Sequence, residues 1–158
     1  MDENAELNRS VVPFVIGTFS IVIMLAASAV GATVGAAMSA SSAAIVANRG
    51  TDLITKSYLP VLFASAGFMY AIIVSFLSIS RMTEDVSLKT ASTVMAACFV
   101  YGGGALFSGM AIGKANKYAI VKMSEDRRIF LASIIINSTI EIPAVFSLIC
   151  AVMILARG

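Results

Sequence analysis

The chain has 158 residues, 59% of them hydrophobic, with 11 Lys+Arg against 9 Asp+Glu, no His and a formal net charge of +2. At 13% charged it carries about half the share of an ordinary soluble domain, about 25%, and a domain this small buries only about two-thirds of its surface. That excludes a water-soluble enzyme, a nucleic-acid binder (no basic stripe to neutralise phosphates) and a disordered chain, and leaves a small integral membrane protein.

Gaps between the charges mark the spans. Uncharged runs of 39, 24 and 24 residues separate Arg9 from Arg49, Lys56 from Arg81, and Lys89 from Lys114. A fourth, of 28 residues between Arg128 and Arg157, is interrupted only by Glu141. A membrane helix needs about 20 mainly apolar residues. Four spans are predicted: Val12–Ala44, Ile54–Ser80, Leu88–Lys122 and Ile129–Ala156. The first and third are long enough to project beyond one face of the bilayer. Helices are expected over strands because the runs are rich in Ala, Leu, Met and Gly and lack period-2 alternation. The segment before the first span holds Asp2, Glu3 and Glu6 rather than a basic start, so that span reads as an uncleaved anchor. Cys98 and Cys150 both fall inside spans, with no His and no Cys-x-x-Cys, so no metal or other cofactor is expected.

An even number of spans puts both termini on one side, with the middle loop and four positive charges: Arg9, Arg81, Lys89 and Arg157. The other two loops carry seven, namely Arg49, Lys56, Lys114, Lys117, Lys122, Arg127 and Arg128. The positive-inside bias puts those loops in the cytoplasm and the termini outside or in a lumen. The chain divides into residues 1–11, a lumenal N-terminal segment, a first hairpin 12–80 and a second hairpin 81–158. Small residues recur every fourth position in span one (Ala27, Gly31, Gly35, Ser39, Ala43) and again in span three (Ala105, Gly109, Gly113). One small residue per turn lets helix backbones approach closely in lipid, within a monomeric bundle or, through repeated hairpins, in a ring.

Glu141 has 12 uncharged residues before it and 15 after it, which sets it near the bilayer midplane. An ionised side chain there costs about 2.5–3.5 kcal/mol on insertion scales, and no Lys, Arg or His lies at comparable depth in any span. Desolvation without a counter-charge favours the neutral form. Such a group suits a proton carrier, the plainer reading being a neutral Glu that hydrogen-bonds another helix.

Pro13-Phe14 with Gly17 and Gly31-Ala32-x-x-Gly35, Leu59-Pro60-Val61 followed nine residues later by Tyr70, Gly109-x-Ala111-x-Gly113, and Glu141 with Phe146 five residues on occur in an order and spacing that resemble the proteolipid c subunits of vacuolar-type rotary ATPases. The resemblance covers nearly the whole chain. It implies an all-α membrane protein of four transmembrane helices, a duplicated helical hairpin that assembles into a homo- or hetero-oligomeric ring. The implied role is a rotor subunit, not itself an enzyme, in which Glu141 is reversibly protonated as the ring turns and H⁺ moves from cytoplasm to lumen. The implied partners are a stationary membrane subunit a that supplies an Arg, central-stalk subunits on the cytoplasmic side, and lipid; the implied location is a vacuole or other endomembrane.

Aligning span two with span four on Tyr70 and Phe146 sets Ser65 opposite Glu141, so the first hairpin lacks a carboxylate. Tyr70, Ser65, Asn137 and Phe146 are the expected neighbours of the proton site; Asn137, one turn before Glu141, supplies a hydrogen bond or faces another helix. Positions that look equivalent to sodium ligands are Ala66, Gly67 and Ile112, none with a side-chain oxygen, which favours H⁺. Gly31, Gly35, Gly109 and Gly113 are the expected packing residues. Pro143, two residues past Glu141, departs from the family pattern and is expected to kink the last helix. No phosphate-binding Gly-x-x-x-x-Gly-Lys-Ser/Thr loop is present. A small proton-coupled multidrug or cation antiporter is one alternative, although its substrate cavity normally carries Trp and this chain has none. A non-transporting four-span scaffold is the other, and it gives no reason for a midplane acid.

Overall fold

A computed structural model describes residues 3–83 and 86–157, without the side chains of residues 3–10 and of Thr51. Of the expected N-terminal segment 1–11, Met1, Asp2 and the side chains through Ser10, Arg9 included, therefore lie outside the described residues, as does Gly158. Four helices account for most of the chain: α1 (Glu3–Val46), α2 (Thr51–Ile79), α3 (Leu88–Met123) and α4 (Ile129–Arg157). All four are long and apolar enough to cross a membrane. The protein is thus an integral, multi-pass, all-α membrane protein. The shortest, α2 and α4, have 29 residues each and span about 44 Å at 1.5 Å per residue, more than the about 30 Å of hydrocarbon. A helix satisfies the backbone donors of such a span within the segment itself.

The breaks between helices follow local chemistry. After a 3₁₀ turn at Ala47–Arg49, Gly50 takes φ 136°, a conformation that disfavours any side chain, and α2 starts. The Ser87 hydroxyl accepts the Thr90 N–H at 3.1 Å and caps α3. Between α3 and α4 the Asp126 carboxylate accepts the Arg128 N–H at 2.9 Å. Lys114 and Lys117, expected on a loop, instead lie on α3, exposed, because that helix continues to Met123 before it turns. Pro143 does not end α4, which is helical on both sides of it.

α1 and α3 run parallel and form the tightest pair. A Cβ placed at Gly109 would lie 2.6 Å from the Gly31 backbone, and one at Gly113 would lie 2.6 Å from the Gly35 Cα. One at Gly35 would collide with the Gly109 carbonyl. α2 lies against α1 and α3, and α4 lies against α3 and α2. Two apolar clusters hold the ends: Met24, Ala71, Val74, Val94, Cys98, Tyr101 and Ala151 toward the termini, and Val46, Leu53, Ile120 and Met123 toward the two basic turns. Between them lies a zone of glycines and buried polar side chains. The outer faces carry large apolar residues such as Phe19, Phe76, Phe107 and Leu131, which is what contact with lipid or neighbouring helices requires. Hydroxyls along the helices, such as Ser28, Ser57 and Ser75, return to carbonyls one turn back.

Candidate functional site

Glu141 lies on α4, half-buried, in a groove lined by Tyr70 of α2 and by Ser138, Ile142, Val145, Phe146 and Ile149 of α4. The Tyr70 hydroxyl donates to Glu141 Oε1 at 3.3 Å, long for an O–H···O bond, whose usual length is about 2.7–2.8 Å. Ser138 does not compete, since its hydroxyl donates to the Ile134 carbonyl at 3.0 Å. Ion pairs among the described residues are Lys56–Asp52 at 2.9 Å and Arg127–Asp52 at 3.5 Å, both at the basic end of the bundle and neither touching Glu141. Among the described residues the carboxyl group therefore has one side-chain donor, Tyr70, and a mainly apolar wall.

The expected neighbours divide. Tyr70 touches the acid, and Phe146 lines the same groove with 61% of its surface exposed. Ser65 does not join them, a correction to the alignment-based expectation. It lines a separate groove with Ala29, Ala32, Thr33, Ala36 and Phe68, and its hydroxyl donates to the Leu62 carbonyl at 2.9 Å within its own helix. An equivalent position in a duplicated hairpin need not be a neighbouring one. Asn137 turns away from Glu141 into the α3–α4 interface, fully buried, where its Nδ2 donates to Asn116 Oδ1 at 3.0 Å. At Gly67 the carbonyl is used as well: it accepts from the Tyr101 hydroxyl.

Sequence reasoning missed Tyr101, Ser108, Asn116 and Ser133, all buried. The Ser108 hydroxyl donates to the Ile140 carbonyl at 3.0 Å, and the Ser133 hydroxyl donates to Asn116 Oδ1 at 3.3 Å. Asn137 lies deep in an apolar run, and that was the available signal, since an amide there needs a partner; Asn116, between Lys114 and Lys117, carried none. Asn116 Nδ2 and Asn137 Oδ1 have no partner among the described residues. No group of three or more His, Cys, Asp or Glu side chains suited to a metal ion occurs among the described residues.

Residues 95–154 match the family of the ATP synthase C subunit. The chain is 28% identical over 127 residues to the 16 kDa proteolipid c of the Homo sapiens V-type proton ATPase, covering 80% of this chain and 82% of that one. The same identity and coverage hold for the Rattus norvegicus protein of that name. It is 27% identical over 133 residues to the c' proteolipid of the Saccharomyces cerevisiae V-type proton ATPase, covering 83% of this chain and 81% of that one. The aligned stretch exceeds either hairpin, so the likeness runs through both halves. With four helices long and apolar enough to cross a membrane and glycine-faced α1 and α3, the chain is similar to the V-type ATPase proteolipid subunits over about 80% of its length.

Proposed function

We propose that this chain is a rotor subunit of a proton-translocating V-type ATPase and that Glu141 carries the proton. The observation that supports this reading is a half-buried carboxyl group on an apolar groove with, among the described residues, one long hydrogen bond, from Tyr70, and no ion pair. Copies assemble into a ring of hairpins, 12–80 and 81–158, with α2 and α4 outward. When Glu141 is protonated it tolerates the hydrocarbon; ionised, it needs water or a cation, at a cost of about 2.5–3.5 kcal/mol otherwise. An Arg of the stationary membrane subunit supplies that cation as the ring passes, and the proton leaves to the lumen. Tyr70 offers the carboxylate one donor. The oxygens lining the groove come from Glu141, Tyr70 and Ser138, fewer than a bare sodium ion takes, which favours H⁺.

Both termini are lumenal and the basic turns after α1 and α3 face the cytoplasm, where the central stalk docks; the membrane is that of a vacuole or another endomembrane compartment. The chain itself hydrolyses nothing and transmits rotation. Glu141→Gln should abolish ATP-driven acidification of membrane vesicles while the ring still assembles. A hydrophobic carbodiimide, which attacks protonated membrane carboxyls, should modify Glu141 and stop pumping in proportion to labelling. Normal acidification by the Gln variant would overturn the assignment.

A further inference from the structure

The Tyr70–Glu141 contact joins two helices that each cross α3 at a glycine. Where α4 crosses α3, Gly104 lies so close to Ser147 that a Cβ there would collide with its hydroxyl. Where α2 crosses, Gly67 meets Ala105. Glycine against alanine at the α2 crossing, and a glycine facing one small serine at the α4 crossing, give close contact with little of the ridge interlocking that fixes rotation and slide between helices. Something else must set the register.

Three α3 side chains cross to the outer helices at this level. Tyr101 donates to the Gly67 carbonyl of α2, three residues before Tyr70. Ser108 donates to the Ile140 carbonyl of α4, the residue before Glu141, at 3.0 Å. Asn116 accepts from Asn137, one turn before Glu141, at 3.0 Å. At spacings of seven and eight residues the three lie within about 80° of arc on one face of α3. All are buried, with Tyr101 and Asn116 at 0% and 1% exposure. Each bond lands on the segment that leads into the acid or into its donor.

We infer that Tyr101, Ser108 and Asn116 are positioning residues that lock α2 and α4 against α3 in the register that lets Tyr70 reach Glu141. The tolerance is small: at 3.3 Å the Tyr70 bond is near the limit of hydrogen bonding, and by about 3.6 Å it is lost. A slide of a few tenths of an ångström along the glycine surface is enough. The inference rests on Glu141 being the proton carrier for its functional meaning, but the register itself can be read independently.

Two measurements on the assembled ATPase in native membrane vesicles test it. In the first, Cys98 and Cys150 are replaced by Ala and the pair Tyr70→Cys, Glu141→Cys is introduced. The yield of the 70–141 cross-link then reads the α2–α4 register whether or not Glu141 carries protons. Tyr101→Phe and Ser108→Ala, each the loss of one hydroxyl, should lower that yield, and Ser108→Thr should restore it. In the second, carbodiimide labelling of Glu141 is followed without the cysteine changes. Tyr70→Phe should speed labelling about threefold, the typical worth of one interhelical hydrogen bond in a bilayer. On a Tyr101→Phe, Ser108→Ala background the same substitution should add nothing. Unchanged cross-linking, or a full threefold effect of Tyr70→Phe without the anchors, would overturn the positioning role. Failure of labelling to stop pumping would overturn the carrier role alone.

Discussion

Asn116 and Asn137 illustrate how polar groups behave in this bundle. They share one hydrogen bond of 3.0 Å, and each keeps an amide atom unpaired among the described residues. A buried polar group that loses its partner costs about 1–3 kcal/mol, whereas replacing both partners by apolar groups of similar shape is close to neutral. Asn116→Leu alone should therefore destabilise the subunit by about 1–3 kcal/mol, because Asn137 keeps only Ser133, at 3.5 Å. Asn116→Leu with Asn137→Leu should recover most of the loss. Thermal denaturation of purified rings in detergent measures both. If the pair is as stable as the wild type but mispositions Glu141, the amides are kept for register rather than for stability.

At the scale of helices, the α1–α3 contact decides which glycines matter. Gly109 has the Gly31 backbone where its Cβ would be, and backbone cannot rotate out of the way. Gly103, six residues earlier on the same helix, has nothing within 4 Å. Gly109→Ala should cost about 1–3 kcal/mol through overpacking, offsetting any gain in helix propensity, and should lower the yield of folded subunit. Gly103→Ala should leave the subunit's fold intact. Circular dichroism melts of the two variants give the comparison, and equal melting would mean that α1 and α3 are not held at glycine distance.

For the whole molecule, the charge of the two ends supports the proposed orientation. The turns after α1 and α3 are tied together by Arg49 donating to the Ser124 hydroxyl at 2.9 Å and by Arg127 beside Asp52 at 3.5 Å. The two hairpins thus share a basic cap, which the proposed function places in the cytoplasm. In a chain with Cys98 and Cys150 replaced, Arg127→Cys should react with a membrane-impermeant maleimide from the cytoplasmic side of sealed vesicles. Arg81→Cys should react only after the vesicles are opened. The reverse pattern would invert the direction of pumping assigned here.

Charge spacing and apolar run length determined four helices, their ends to within three residues for α2, α3 and α4, and the isolation of Glu141. These are properties of a chain in hydrocarbon and depend on no neighbour: a run long enough to span must be helical, and one acid in it stands out. The start of α1 was less legible, since a helix continues into polar sequence as far as Glu3 and hydropathy does not register it. Ser65 and Asn137 were misjudged or left open because sequence spacing gives the face of a helix and not which helix that face meets. Tyr101, Ser108 and Asn116 were invisible for the same reason. Their meaning arises only when α3 brings Gly67 of α2 and Ile140 and Asn137 of α4 within hydrogen-bond reach, a convergence of segments up to 73 residues apart that tertiary packing alone decides.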